Sequence, residues 1–210
     1  MYDSTKSIVY ISNEAFLTLL FSSIEPFPSK YEYKRKPRNS PEEGEAFGLL
    51  FGSKVCRENA NIYNVSFVET IQMVRRTQDW VQWSKKHCNR VKELLEALPM
   101  FEYLGTFHSH PWRKTEYKPS LAALPSKEDV DSTKSDSIEN QKEVLDIILA
   151  ITALTKKPKR DSKRHDSWVE GYVGKYKYKL NAYIGDGSGV LPVDRLICPM
   201  ATGISNKDLV

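Results

Sequence analysis

The chain has 210 residues, 40% hydrophobic and 28% charged, with a formal net charge of +4 at pH 7. That length fills one core and is short for two, so one domain is expected over 1–210, with its core at about residues 7–190; the composition excludes general disorder. Cys56, Cys88 and Cys198 are scattered with no Cys-x-x-Cys pair, which excludes a disulfide framework or a cysteine zinc cluster and points to a reducing, cytoplasmic setting. No secretory signal pattern opens the sequence, and the longest apolar stretch, Val144 to Leu154, contains Asp146 and falls short of the ~20 residues a membrane helix needs. No membrane partner is expected.

Ile8 to Ile11 reads as a short strand, and Glu14 to Phe21 as a short helix capped by Asn13. Pro26, Pro28, Pro37 and Pro41 rule out a regular helix between Glu25 and Glu43, which is expected to be an exposed connection. Phe47 to Val55 is mostly apolar, as in a strand buried on both faces, and Arg57 to Asn61 turns it into a second strand, Ile62 to Val74. From Gln78 to Leu98 the residues Trp80, Val81, Trp83, Val91, Leu94, Leu95 and Leu98 mostly recur at helical spacing, which predicts the main helix, closed by Pro99. Phe101 to Phe107 is aromatic and β-prone, and Pro111 is expected to end that strand.

Val130 to Gln141 is polar and weakly periodic. Val144 to Leu154 reads as a buried strand, Lys156 to His165 as a basic loop, and Trp168 to Ile184 as strand. Alternation over Tyr176 to Tyr183 predicts one wet face. Gly185 to Gly189 is a turn, the tail beyond is unassigned, and no repeat is visible. The order predicts a mixed α/β architecture around a central sheet.

His108 and His110 stand at i and i+2 near the end of a predicted strand, so both rings point the same way with Cα atoms about 6.6 Å apart. At that spacing both can reach one metal ion, for which neutral imidazole is the commonest side-chain ligand. The pair also suits a packed or surface strand, and a third ligand is needed. Downstream, Pro125-Ser-Lys-Glu-Asp129 offers a carboxylate one turn after a serine, a pattern that equally starts an ordinary helix. Upstream, Glu45 precedes the apolar Gly48-Leu-Leu-Phe-Gly52. His87 is read as a surface or packing residue of the main helix, His165 sits in the basic loop, and neither His-Glu-x-x-His nor Pro-Cys-x-x-Cys occurs.

Together these segments resemble the JAMM (MPN+, Mov34/PAD-1, JAB1-like) metalloprotease family: a glutamate before Gly-Leu-Leu-x-Gly, then His-Ser/Thr-His-Pro, then Ser-x-x-Asp. The likeness runs from Glu45 into the strands after Asp129. It implies a compact MPN/JAB-like α/β domain, a central mixed sheet flanked by helices (cytidine-deaminase-like). It also implies one Zn2+ held by His108, His110 and Asp129, with Glu45 as general base and Ser126 polarising the scissile carbonyl. Three protein ligands leave zinc a fourth position, where the pKa of water falls to about 7. The implied activity is that of a metallopeptidase or isopeptidase acting on a protein or peptide, with the tail of ubiquitin or a ubiquitin-like protein as substrate class.

One spacing departs from the family. Fifteen residues separate His110 from Ser126 where seven are usual, so a longer loop is expected there. Ser120 has the shorter spacing but is followed by Ala123, which cannot bind metal; Asp131 is the nearby alternative to Asp129, and Glu43 the alternative to Glu45. The rival readings are a non-catalytic interaction module of the same fold, and nucleic-acid binding through Lys30 to Arg38 and the basic loop, for which a solvated charged surface is the simpler account.

Overall fold

The computed structural model describes residues 5–25, 44–71, 74–76, 81–112, 117–156 and 162–202. The connection at 26–43, with its basic patch and Glu43, lies outside the described residues, as do Trp80 and residues 157–161 of the basic loop. The strands are β1 (Lys6–Ile11), β2 (Phe47–Arg57), β3 (Ala60–Thr70), β4 (Val74–Arg76), β5 (Val81–Trp83), β6 (Glu102–Trp112), β7 (Val144–Ala153), β8 (Lys163–Arg164), β9 (Trp168–Val173), β10 (Tyr176–Gly185), β11 (Val190–Pro192) and β12 (Arg195–Ile197). The helices are α1 (Asn13–Ile24), α2 (Lys85–Glu96), α3 (Lys127–Asn140) and α4 (Pro199–Thr202).

Ten strands form one curled, mixed sheet in the order β12-β1-β3-β2-β6-β7-β10-β9-β8, with β11 on β10, while β4 and β5 pair separately. β6 and β7 run parallel at its centre, between the antiparallel neighbours β2 and β10. β7 can occupy that place because Val-Leu-Asp-Ile-Ile-Leu-Ala-Ile-Thr is buried on both faces, and the β-branched residues among these suit a pleated surface covered on both sides.

The two faces carry different cores. On one, Leu50, Val65, Leu104, Phe107, Leu145, Ile147 and Leu149 pack with Phe16, Leu19 and Leu20 of α1 and Ala201 of α4. On the other lie two smaller groups. Phe47, Leu49, Phe51, Tyr103 and Val144 meet Cys88 of α2, and Ile148, Ala150 and Tyr183 meet Ala122 and Ala123. Each such side chain contributes about 1.5–3 kcal/mol when fully buried. Along β6 the pairing with β2 slips by one residue, from Leu50 opposite Gly105 to Phe51 opposite Tyr103. Gly105 sits there at φ +148°, where an added Cβ would lie 1.9 Å from the Leu145 carbonyl oxygen. Only glycine fits that approach.

Several expectations are corrected. The main helix begins at Lys85, not Gln78, because Ser84 caps it through a bond from the His87 amide and the β-prone Val81–Trp83 pairs with β4 instead. The second strand ends at Thr70, and Val74 opens β4. Ser12, not Asn13, caps α1, its hydroxyl accepting from Ala15 N at 3.1 Å. The helix start offered by Ser126 to Asp129 is present: Ser126 caps α3, which runs through the polar stretch to Asn140.

Pro111 does not end β6, which continues to Trp112 alongside β7. The Ser109 amide points toward the β2 side, where it meets Ala46 O. Pro111 therefore faces that same side, past the start of β2, where its missing N–H interrupts no ladder. The wet face expected on β10 is covered. Lys179 is buried and donates to Pro119 O at 2.9 Å, and Tyr183 OH donates to Ala123 O at 2.7 Å, so the long segment after His110 lies over it. Among the described residues, no helix is long and apolar enough to cross a membrane.

Candidate metal centre

His108 and His110 project from the β6 face that also carries Phe47 and Tyr103, between the two smaller cores. Phe47 is directly opposite His108 on β2. Their Nε2 atoms lie 3.0 Å apart. Asp129 reaches both from the first turn of α3, with Oδ1 3.3 Å from His108 Nε2 and Oδ2 3.5 Å from His110 Nε2. These three residues form the one group of at least three His, Cys, Asp or Glu side chains, among the described residues, that can hold a metal ion.

The far side of each ring is committed. His110 Nδ1 lies 3.2 Å from the Ala122 carbonyl oxygen, and His108 Nδ1 lies 3.3 Å from Asp146 Oδ1, in ion-pair range although outside hydrogen-bond alignment. Asp146 is 1% exposed. Its Oδ1 has no hydrogen-bond partner among the described residues, while Oδ2 accepts from Thr133 Oγ1 at 3.3 Å. Both Nδ1 atoms face acceptors, and with a proton on each Nδ1 both Nε2 lone pairs are free for a metal ion.

Two imidazole Nε2 atoms and a carboxylate thus converge on one another, an arrangement that a shared cation holds together. An ion bound tetrahedrally at 2.0–2.1 Å spaces its ligands about 3.3 Å apart. The closest approaches of 3.0, 3.3 and 3.5 Å bracket that spacing, and the residues fit a metal.

The electrostatics carry the same demand. Burial opposes charge on His108, but Asp146 and Asp129 outweigh it and hold its pKa well above the ordinary histidine value. Burial also pushes the Asp129 carboxyl up; hydrogen bonds from His108 and His110, with the Ser126 amide, overcome that and hold it well below the usual carboxylate range. Both shifts favour a positive charge among these groups.

Asp129 is held in turn by its helix. Ser126 caps α3, its hydroxyl accepting from Asp129 N at 3.1 Å while its own amide donates to Asp129 Oδ2 at 2.7 Å. Ser126 itself is exposed. Glu45 is buried at 7% exposure. It precedes Ala46, whose carbonyl accepts from Ser109 N at 2.9 Å and whose amide donates to Ser109 Oγ at 2.8 Å. Continuing the Phe47–His108 register by two residues sets Glu45 across from His110, on the histidine face. Asp131 is exposed on α3 and outside the group, and Ser120 lies in the turns before it.

The sequence reading missed Asp146, Thr133, Ser109 and the Ala122 carbonyl. A lone acid in an otherwise apolar strand was the available signal for Asp146; a backbone carbonyl leaves none. No protein-family model matches the chain, and no curated protein matches it.

Proposed function

We propose that the chain is a zinc-dependent hydrolase of JAMM/MPN type, a metallopeptidase or isopeptidase on an MPN/JAB-like, cytidine-deaminase-like frame. It cleaves an amide bond of a protein or peptide, a ubiquitin-like tail being one substrate class. What supports this is the convergence of two imidazole Nε2 atoms and a carboxylate whose outer neighbours are already in place, since three protein ligands leave a tetrahedral ion one open position.

When bound, zinc supplies Lewis acidity that lets water ionise near neutral pH and draws charge from an amide carbonyl. The chain's own groups have separate tasks. Asp146 and the Ala122 carbonyl keep the two rings oriented with Nε2 turned toward Asp129. Glu45 takes the proton released by water and hands it to the departing nitrogen, so that a C–O bond forms, the C–N bond breaks, and a carboxylate and an amine leave. Ser126 keeps a hydroxyl proton to offer the carbonyl oxygen as charge develops there.

Metal content of the purified protein tests the reading. Wild type is expected to carry about one zinc per chain, and His108→Ala and Asp129→Ala to lose it. Glu45→Gln is expected to keep zinc and lose hydrolysis of peptide and ubiquitin-like substrates. A wild type that takes up no zinc when it is offered removes the hydrolase and leaves a non-catalytic interaction module.

A further inference from the structure

A cavity of about 170 Å³ lies between α2 and α3 over the β2–β6 pair, on the face that carries the histidines. Phe47, Leu49 and Tyr103 give it an apolar floor, and Asn89, Thr106 and Ser132 add neutral polar groups. Its charged walls are internally paired: Lys85 Nζ is 2.8 Å from Glu139, and Lys92 Nζ is 3.2 Å from Asp136 and 3.6 Å above the Tyr103 ring. The lining therefore offers no uncompensated charge to a ligand, and burying an ionised group against it would be costly.

The cavity adjoins the metal centre without containing its ligands. Phe47 pairs across from His108, and Thr106 precedes His108 on the same face. Thr133, also in the lining, donates to the Asp129 carbonyl at 2.8 Å and to Asp146. An extended peptide rises about 3.4 Å per residue. A carbonyl seated at the histidines thus has a neighbouring side chain within reach of the floor.

We propose that this cavity is a substrate subsite for a neutral, ring-sized side chain, such as that of phenylalanine, tyrosine or leucine, beside the cleaved bond. Binding stands on the cavity alone; its place in a substrate rests on the hydrolase reading. Glycine at that position leaves the space empty, so the subsite favours bulky peptides over glycine-ended tails.

The test is two-dimensional NMR of the folded chain titrated with N-acetyl-phenylalanine amide, with and without zinc, against the lysine and glutamate analogues. Saturable shifts are expected at the Leu49, Thr106 and Ser135 amides, with affinity at least about tenfold weaker for the charged analogues. Two filling substitutions at exposed lining positions, Asn89→Trp and Ser132→Phe, are each expected to abolish them, so the outcome does not depend on one variant folding. Absence of saturable binding, equal response to the charged analogues, or undiminished response in folded filled variants would overturn the subsite. Binding in a chain that never takes up zinc would keep the subsite and remove the hydrolase. A zinc-loaded enzyme that cleaves glycine and phenylalanine peptides equally fast would do the reverse.

Discussion

The Ser126 amide donates to Asp129 Oδ2 at 2.7 Å, and that same oxygen lies 3.5 Å from His110 Nε2. One carboxylate therefore both closes the N-terminus of α3 and completes the candidate metal centre. Ser126→Ala should destabilise the metal-free fold by about 1 kcal/mol and weaken zinc binding by up to about tenfold, while Ser126→Thr restores both. Urea denaturation and zinc titration measure these effects. If Ser126 acted through substrate alone, folding and metal affinity would stay at wild-type values and only turnover would fall.

Asp146→Asn keeps the shape of the buried group but removes the charge facing His108. Zinc affinity, read by chelator competition, is expected to drop 10–100-fold, about the usual effect of losing an outer partner of a metal-bound histidine. Thr133→Val, which leaves the Asp146 charge in place and deletes the hydroxyl that donates to Asp146 and to the Asp129 carbonyl, should show a smaller loss. Unchanged affinity in Asp146→Asn would mean that His108 needs no carboxylate behind it.

One source of acid sensitivity lies away from the candidate metal centre. Burial pushes Glu143 up, but Lys54 at 2.7 Å and the Tyr63 hydroxyl overcome it and leave its folded pKa below the ordinary 4.5. A depressed carboxylate adds stability that is fully present above about pH 4.5 and is lost as pH falls through its folded value. Stability curves of wild type and Glu143→Gln should therefore converge as the pH is lowered below that point. Parallel curves down to pH 3 would rule the contribution out.

Gly105→Ala should cost more than about 3 kcal/mol, because the new Cβ meets backbone where no side chain can yield. Thermal denaturation reads this directly. A variant as stable as wild type would show that β6 and β7 can separate locally.

The sheet was largely legible in the sequence because its central strand is a continuous run of β-branched and apolar residues, and the histidine pair because its alternation survives up to Pro111. Val81 and Trp83 misled because two apolar residues at that spacing fit a helix or a strand, and the pairing of Val81–Trp83 with β4 decides between them. The cover over β10 was hidden for a different reason. Lys177, Lys179 and Tyr183 alternate like surface residues, yet Lys179 and Tyr183 find backbone carbonyls of a segment some sixty positions earlier in the chain. Asp129 and Glu45 could be named through the resemblance to a family's motif, whereas Asp146 acquires a role only when β6 and β7 lie parallel and Thr106 stands beside it.

The slip at Gly105 sets the parity of the whole strand. Tyr103 and His108 are an odd number of positions apart, so in an uninterrupted strand they would point to opposite sides. The extra residue brings Thr106, His108 and His110 into phase with Tyr103, Phe47 and α3. Removing a single residue there, with every other side chain kept, would turn both imidazoles toward Phe16 and Leu19 of α1, into a layer whose described core residues are apolar.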